Sequence, residues 1–400
     1  MLPEFAGRLE AADWPRWTGL SRLTEILGAD TIRWVGGAVR DTLLGAPVRD
    51  VDCATLLTPD RVIELCDRAN IRTVPTGLEH GTVTAVLADG PVEVTTLRRD
   101  VATDGRRATI AFSEDWREDA ARRDFTINAL YAHPQSLDIA DYFGGLDDLA
   151  AKRVRFIGSA RQRIAEDHLR ILRYYRFEAR FGSALDPEAE AACAELADTL
   201  KGLSRERIAG ELLSLLALAN PHPTLARMHE AGVLGVILPE VSAEHLQCLA
   251  KLIESEAEQG FAPEPLRRLA ALLPPAPDMA EQVAARLRLS KAQRARLISA
   301  AARTASDTTD PFALAYTITP VCAIDRLLLL GADARILTEW QPPVFPLKGG
   351  DIVKRGVAAG PQVARILQFV EERWVAEGFP KADRIEQILR GALSEAGQSG

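Results

Sequence analysis

Cysteine is scarce in this 400-residue chain, and the five residues, at 53, 66, 193, 248 and 322, form no CxxC pair. A scattered, odd set excludes a disulfide scaffold and a zinc ribbon. It implies reduced thiols, so a cytoplasmic location is expected. Six dispersed histidines give no HExxH and no other zinc spacing. No apolar run approaches about 18 residues, which excludes a membrane span of ordinary length. The start, "MLPEFAGRLEAADW", lacks the basic lead and apolar core of a secretory signal. No internal repeat and no low-complexity tract is present. Excess positive charge is also missing. The net charge of −8 argues against a partner bound by bulk electrostatics, and neither membrane nor DNA is expected as one.

What is there is a globular composition, 47% hydrophobic and 26% charged, in a chain long enough for more than one core. The acidic average hides a local reversal. Between Ala150 and Arg180 nine basic side chains face three acidic ones, a footprint suited to a polyanion.

The first 150 residues alternate strand and helix signals. "TIRWVGGA" is an apolar run ending in Gly-Gly, "RDVDCATL" is a short strand, and "PDRVIELCDRAN" starts as a helix with Pro and Asp. "GTVTAVLADGPVEVTTLRR" reads as a hairpin turning at Asp89-Gly90. After Ala150 the pattern becomes helical. "SARQRIAEDHLRILRYYRFEARFG" reads as one helix from a Ser start to a Gly stop, and "SRERIAGELLSLLAL" as another capped by Ser204. Pro-rich breaks at 262–277 and 342–346 punctuate the rest. The division expected is 1–150, 151–218, 219–342 and 343–400.

Chemistry concentrates in "VGGAVRDTLLGAPVRDVD", residues 35–52. Asp50 and Asp52 are two apart, so on a strand they share a face. Two carboxylates on one face repel unless a cation lies between them, and their hard oxygens suit Mg²⁺. Such a pair serves in-line phosphoryl transfer. Gly36 and Gly37 can offer backbone N–H groups to an anion, and Arg40 can fork onto a phosphate. Glu93, between Val92 and Val94, faces away from them on a strand and is a candidate third carboxylate or general base. A lone DxD is common and marks many solvated turns. The full string is far more specific.

Together with "RRDFTINALYA" (122–132), "DYFGGLDDL" (141–149), "EDHLRILRYYRF" (166–177) and "SRERIAGELLSLL" (204–216), that string resembles the class II tRNA nucleotidyltransferase and bacterial poly(A) polymerase family, in family order. The tail from Phe345 resembles the family's C-terminal segment more loosely. The resemblance implies an α/β head of the polymerase-β-like nucleotidyltransferase type followed by an all-α neck, body and tail. It implies template-independent addition of CMP and AMP from CTP and ATP to a tRNA 3′ end. Asp50 and Asp52 are then Mg²⁺ ligands, and Gly37 and Arg40 nucleotide contacts. Arg123, with Arg122 as its alternative, is a triphosphate or ribose contact, and Asp167, Arg170, Arg173 and Arg176 read base and phosphate. Glu93 corresponds to the family's third acidic position. The polar segment 103–120 corresponds to a mobile loop tied to the switch from C to A. No His-Asp dipeptide occurs, so the HD phosphohydrolase of some members is expected to be absent.

If Asp167 and Arg170 share a helix face, three residues apart, they form an acceptor beside a donor. Cytosine and adenine each present an amino group beside a ring nitrogen and match that edge. Uracil and guanine leave polar groups unpaired. The alternatives within the family are a poly(A) polymerase and an A-only enzyme. Outside it they are a small-molecule nucleotidyltransferase and a noncatalytic RNA-binding protein on a decayed head. Intact Asp50, Asp52 and Arg40 argue against the last, and the long helical remainder favours a large substrate. The sequence leaves the oligomeric state open.

Overall fold

The computed structural model describes residues 3–104, 107–182 and 184–398. These fall into two compact units, one running to Pro239 and one starting at Glu240.

The first unit is built on β1 (Ile32–Val35), β2 (Val51–Thr55), β3 (Arg72–Gly77), β4 (Thr82–Leu87), β5 (Gly90–Thr96), β8 (Leu130–Ala132) and β9 (Ile139–Asp141), in the order β3-β4-β5-β2-β1-β8-β9. β2 runs parallel to β5, and the other pairs are antiparallel. β2 therefore has a partner on each edge, and Val51, Cys53 and Ala54 are buried. Burial pushes the Cys53 thiol far up, which keeps it inert. The hairpin turns between β4 and β5 one residue earlier than expected: Ala88 and Asp89 form the loop, and Gly90 opens β5 opposite Leu87.

The helix Thr18–Leu27 buries Leu20, Leu23, Thr24 and Leu27, a 3.6-residue stripe, and packs beside the helix Pro59–Arg68. Trp14 meets Trp34 of β1 edge to face at 4.8 Å and donates to Thr42 at 2.8 Å. That contact props the helix Gly37–Leu43, which follows the Gly36 turn.

Segment 103–120 is ordered differently from a loop. β6 (Arg98–Asp104) and β7 (Arg107–Phe112) form a separate two-stranded sheet, and Trp116–Ala121 is helical. Gly105 and Arg106 lie outside the described residues.

The basic stretch after Ala150 is two helices rather than one. Ala160–Glu166 ends, and Arg170–Phe181 begins three residues after Asp167. Asp167 is extended, with φ −148° and ψ 105°. Its own Oδ1 accepts from Leu169 N at 3.1 Å, a local bond that competes with helix continuation. The second helix docks through aromatic rings. Phe125 packs on Phe156 at 4.9 Å and on Phe177 at 5.1 Å, and Phe156 stacks on Tyr174. Offset rings of this kind add to the burial energy.

The second unit is helical. Its longest described helices include Ala243–Gln259, Pro361–Ala376 and Ala382–Gln398. Trp374, Val370, Ile366 and Leu389 form a core there. A buried ionic network joins Glu256 to Arg267 and Arg268, and Asp325 to Arg296. Among the described residues no helix is long and apolar enough to cross a membrane.

Candidate active site

The strand register builds the site. Val35 pairs with Asp52, so the Gly36-Gly37 turn leaves β1 directly beside the second aspartate. Asp52 pairs with Glu93 on the parallel side. Gly36 has φ 71° and ψ −121°, and its absent Cβ would lie 3.5 Å from Arg123 Nη1. Only glycine takes that conformation cheaply. Its N–H is committed to Leu130 O at 3.3 Å. The expected nest of two successive glycine N–H groups is thus reduced by one.

Asp50, Asp52, Gly37, Arg40 and Arg176 line one cleft of about 430 Å³. Sequence reasoning had named all five. Asp41, Arg49, Arg180 and Ser214 complete much of its wall and were missed. Gly36, Glu93, Arg122, Arg123, Asp167, Arg170 and Arg173 lie outside that lining. The Asp52 carboxyl is pushed above its usual range, first by burial, then by Glu93, with Asp50 adding and Arg123 opposing. Crowded carboxylates of this kind favour a divalent cation, and the oxygen donors fit one. Among the described residues no group of three or more His, Cys, Asp or Glu side chains converges on one ion position. Asp50 and Asp52 are therefore the pair available, with Glu93 exposed next to Asp52.

Arg40 departs from the expected free fork. It is buried, with Nε on Asp41 Oδ1 at 2.8 Å, Nη1 on Asn128 Oδ1 at 2.5 Å, and its plane over Phe177 and Phe181. Burial lowers its pKa and Asp41 opposes the shift. Its role in the wall is largely to join the Gly37–Leu43 helix to the Arg170–Phe181 helix.

"RRDFTINAL" is a turn and a short 3₁₀ segment (Thr126–Asn128). Its arginines share one buried acid that sequence reasoning missed. Asp119 accepts from Arg122 Nε at 2.8 Å, Arg123 Nη2 at 3.3 Å and the Tyr131 hydroxyl at 2.6 Å. Burial raises its pKa, but these partners bring it below the usual range. Asp124 takes both Nε and Nη2 of Arg173, at 2.8 and 2.6 Å, and Asn128 Nδ2 at 2.9 Å. Burial again opposes, yet the Arg173 charge and these bonds lower its pKa to about 2.

The break at 167–169 overturns the expected Asp167–Arg170 pairing on one helix face. Arg170 instead gives Nη1 to Glu166 Oε2 at 2.6 Å and to Arg163 O at 2.7 Å, and Nη2 to Arg122 O. The guanidinium beside Asp167 is Arg207, at 2.7 Å, from the helix Arg205–Leu216. That helix is capped by Ser204 as expected. Its Glu211 holds Arg176 Nε at 2.5 Å. Arg207 and Glu211 were inside a quoted motif, yet nothing in the spacing pointed to the neighbours they meet.

Acidic oxygens on a central strand, opposed across a cleft by helix-borne arginines, are the apparatus of a nucleotidyltransferase. Residues 32–155 match the family described as Poly A polymerase head domain, and residues 183–244 the one described as Probable RNA and SrmB- binding site of polymerase A. The chain is 36% identical over 389 residues to the CCA tRNA nucleotidyltransferase 1, mitochondrial, of Homo sapiens, spanning 90% of this chain and 87% of that protein. It is 42% identical over 230 residues to a CCA-adding enzyme of Streptococcus pneumoniae, 57% of this chain and 56% of that one. The fold is shared with the Bacillus stearothermophilus CCA-adding enzyme in complex with CTP (TM-score 0.75, 24% identity, 100% of both chains covered). It is shared too with the Thermotoga maritima CCA-adding enzyme complexed with tRNA (TM-score 0.68, 20% identity, 97% of both). The chain belongs to the CCA tRNA nucleotidyltransferase family. Nucleotidyltransferases of this family use divalent metal ions.

Proposed function

We propose that this chain is a CCA-adding enzyme, transferring CMP from CTP and then AMP from ATP to the 3′ end of tRNA with release of pyrophosphate. The observation that carries the reading is the cleft that sets Asp50 and Asp52 against Arg176. It is supported by 36% identity to a CCA tRNA nucleotidyltransferase across 90% of the chain.

Asp50 and Asp52 would hold the divalent cation, Mg²⁺ by their hard oxygens. When bound, it supplies charge neutralisation for the triphosphate and acidifies the attacking hydroxyl. Arg176, held by Glu211, meets phosphate oxygens. The Gly37 backbone and Arg40 shape the floor beneath the nucleotide. Arg122 and Arg123, steadied by Asp119, contact ribose or phosphate. Glu93 beside Asp52 raises the local negative charge and is the nearest base for a 3′-hydroxyl.

Asp167 is the acceptor for the amino group of cytosine or adenine, with Arg207 fixing its carboxylate. Arg170 pins the break that lets Asp167 leave the helix, and Arg173 anchors the same helix to Asp124. Uracil and guanine would put carbonyl oxygens against Asp167 and leave it unpaired.

Residues 1–150 serve as head, 151–218 as neck, 219–342 as body and 343–400 as tail. The buried, unpaired thiols of Cys53, Cys66 and Cys193 support a cytoplasmic location. Extension of a tRNA truncated at its discriminator base, resolved by length, tests the reading.

A further inference from the structure

We propose that Arg180 is a phosphate-contacting residue of this site, its guanidinium taking oxygens of the incoming nucleotide's triphosphate while Asp41 and the Phe181 ring hold it in place. The proposal rests on the nucleotidyltransferase reading and adds a residue that lies outside the family motifs quoted from the sequence.

Four arginines line the cleft with Asp50 and Asp52. All three nitrogens of Arg40 are engaged, Nε and Nη2 on Asp41 and Nη1 on Asn128, and the side chain is buried. Arg176 gives its Nε to Glu211. Arg49 is exposed on the segment before β2, and no contact among the described residues fixes its position. Arg180 is anchored as Arg176 is, by one carboxylate and one aromatic ring, but it is the more exposed of the two. Nη2 is on Asp41 Oδ2 at 3.0 Å, the guanidinium stacks on Phe181 at 4.6 Å, and the side chain is 34% exposed. Among the described residues Nε and Nη1 have no hydrogen-bond partner. The group is therefore oriented, reachable and still able to donate to phosphate oxygens.

Charge points the same way. One Asp41 carboxylate serves both Arg40 and Arg180. Two cations on one anion leave positive charge at the cleft wall. At Arg40 burial lowers the pKa, Asp41 opposes it, and the Arg180 charge adds to the lowering. An arriving polyphosphate relieves it. Arg176 and Arg180 are also four residues apart on one helix, so they present adjacent donors to the same cleft.

Phosphate oxygens come from two sources here, the nucleotide's triphosphate and the phosphodiesters of the tRNA end. We assign Arg180 to the first because it shares the cleft of Asp50 and Asp52. The test compares the full-length wild type with Arg180→Gln and Arg180→Lys. KM is measured separately for CTP, ATP and truncated tRNA, and inorganic tripolyphosphate serves as a competitor lacking base and ribose. The expectation is a KM rise of roughly tenfold for CTP and ATP alike in Arg180→Gln, as for loss of one charge-assisted contact. The inhibition constant of tripolyphosphate should rise by a similar factor, with tRNA KM and base selectivity unchanged and Arg180→Lys in between. A rise in tRNA KM alone would overturn the assignment to nucleotide. Unchanged KM values with a lower melting temperature would make Arg180 only a rivet between helices, which also overturns it. If the wild type extends no tRNA, the functional reading fails. Calorimetric binding of tripolyphosphate to wild type and Arg180→Lys then decides Arg180 independently.

Discussion

The Asp167 carboxylate is held by Arg207, 2.7 Å away and 40 residues later in the chain, not by Arg170 three residues on. Both side chains are about a third exposed, so the pair contributes little to stability. Its consequence is orientation. Asp167→Ala should relax nucleotide choice and admit UTP and GTP. Arg207→Ala should shift choice in the same direction by a smaller factor. The double variant should equal Asp167→Ala, because Arg207 acts through the carboxylate it fixes. Single-nucleotide incorporation with each NTP measures all three, and additive effects would separate the two residues.

Asp50→Ala and Asp52→Ala should each lower incorporation by roughly a thousandfold or more, as expected when charge stabilisation at the reacting phosphate is lost. Binding of tRNA, followed by filter retention, should change by less than about threefold because one carboxylate among many phosphate contacts carries little affinity. A matching loss of tRNA binding would place these residues on the tRNA surface instead.

Asp124 ties the turn after the Trp116–Ala121 helix to Arg173 of the Arg170–Phe181 helix. Its folded pKa, about 2, lies below the unfolded value. Stability from a depressed carboxylate is fully present above the unfolded pKa and fades as pH falls through the folded one. Asp124→Asn should therefore cost on the order of 2 kcal/mol at neutral pH. The gap should close between about pH 4 and pH 2. Denaturant titrations of both proteins across that range would show it, and a pH-independent gap would contradict it.

Gly36→Ala places a side chain at φ 71° and ψ −121°, 3.5 Å from Arg123 Nη1. The backbone strain should cost roughly 1–3 kcal/mol. Activity should fall further than stability, because the turn aligns Gly37 with Asp52. Comparing melting temperature with kcat for this variant separates the two effects.

How much of this was legible depended on range. The Asp50–Asp52 pair was visible because strand alternation is a two-residue rule that a short string displays. Ser204 as a helix cap and a tight turn next to Asp89 were legible for the same reason. The break at 167–169 was not, since neither Gly nor Pro marks it. It is stabilised by Asp167's own side chain and by Arg170 reaching back to Arg163 O. Arg40 looked like a free phosphate ligand because Asn128 and Phe181, which with Asp41 fix it, are remote in sequence. Asp119 was one acid among several in "SEDWREDAARRD" until folding buried it under Arg122, Arg123 and Tyr131. Local chemistry announced the Asp50–Asp52 segment, and tertiary pairing decided which arginine meets which carboxylate.

The central claim is ordered addition of C, C and A by the Asp50–Asp52 cleft. The direct measurement incubates the protein with Mg²⁺ and a tRNA ending at its discriminator base, with each labelled NTP alone and with CTP and ATP together. The account predicts two additions with CTP alone, a third only when ATP is also present, and a stop at three. Long A tails on any RNA, or no incorporation at all, would contradict it.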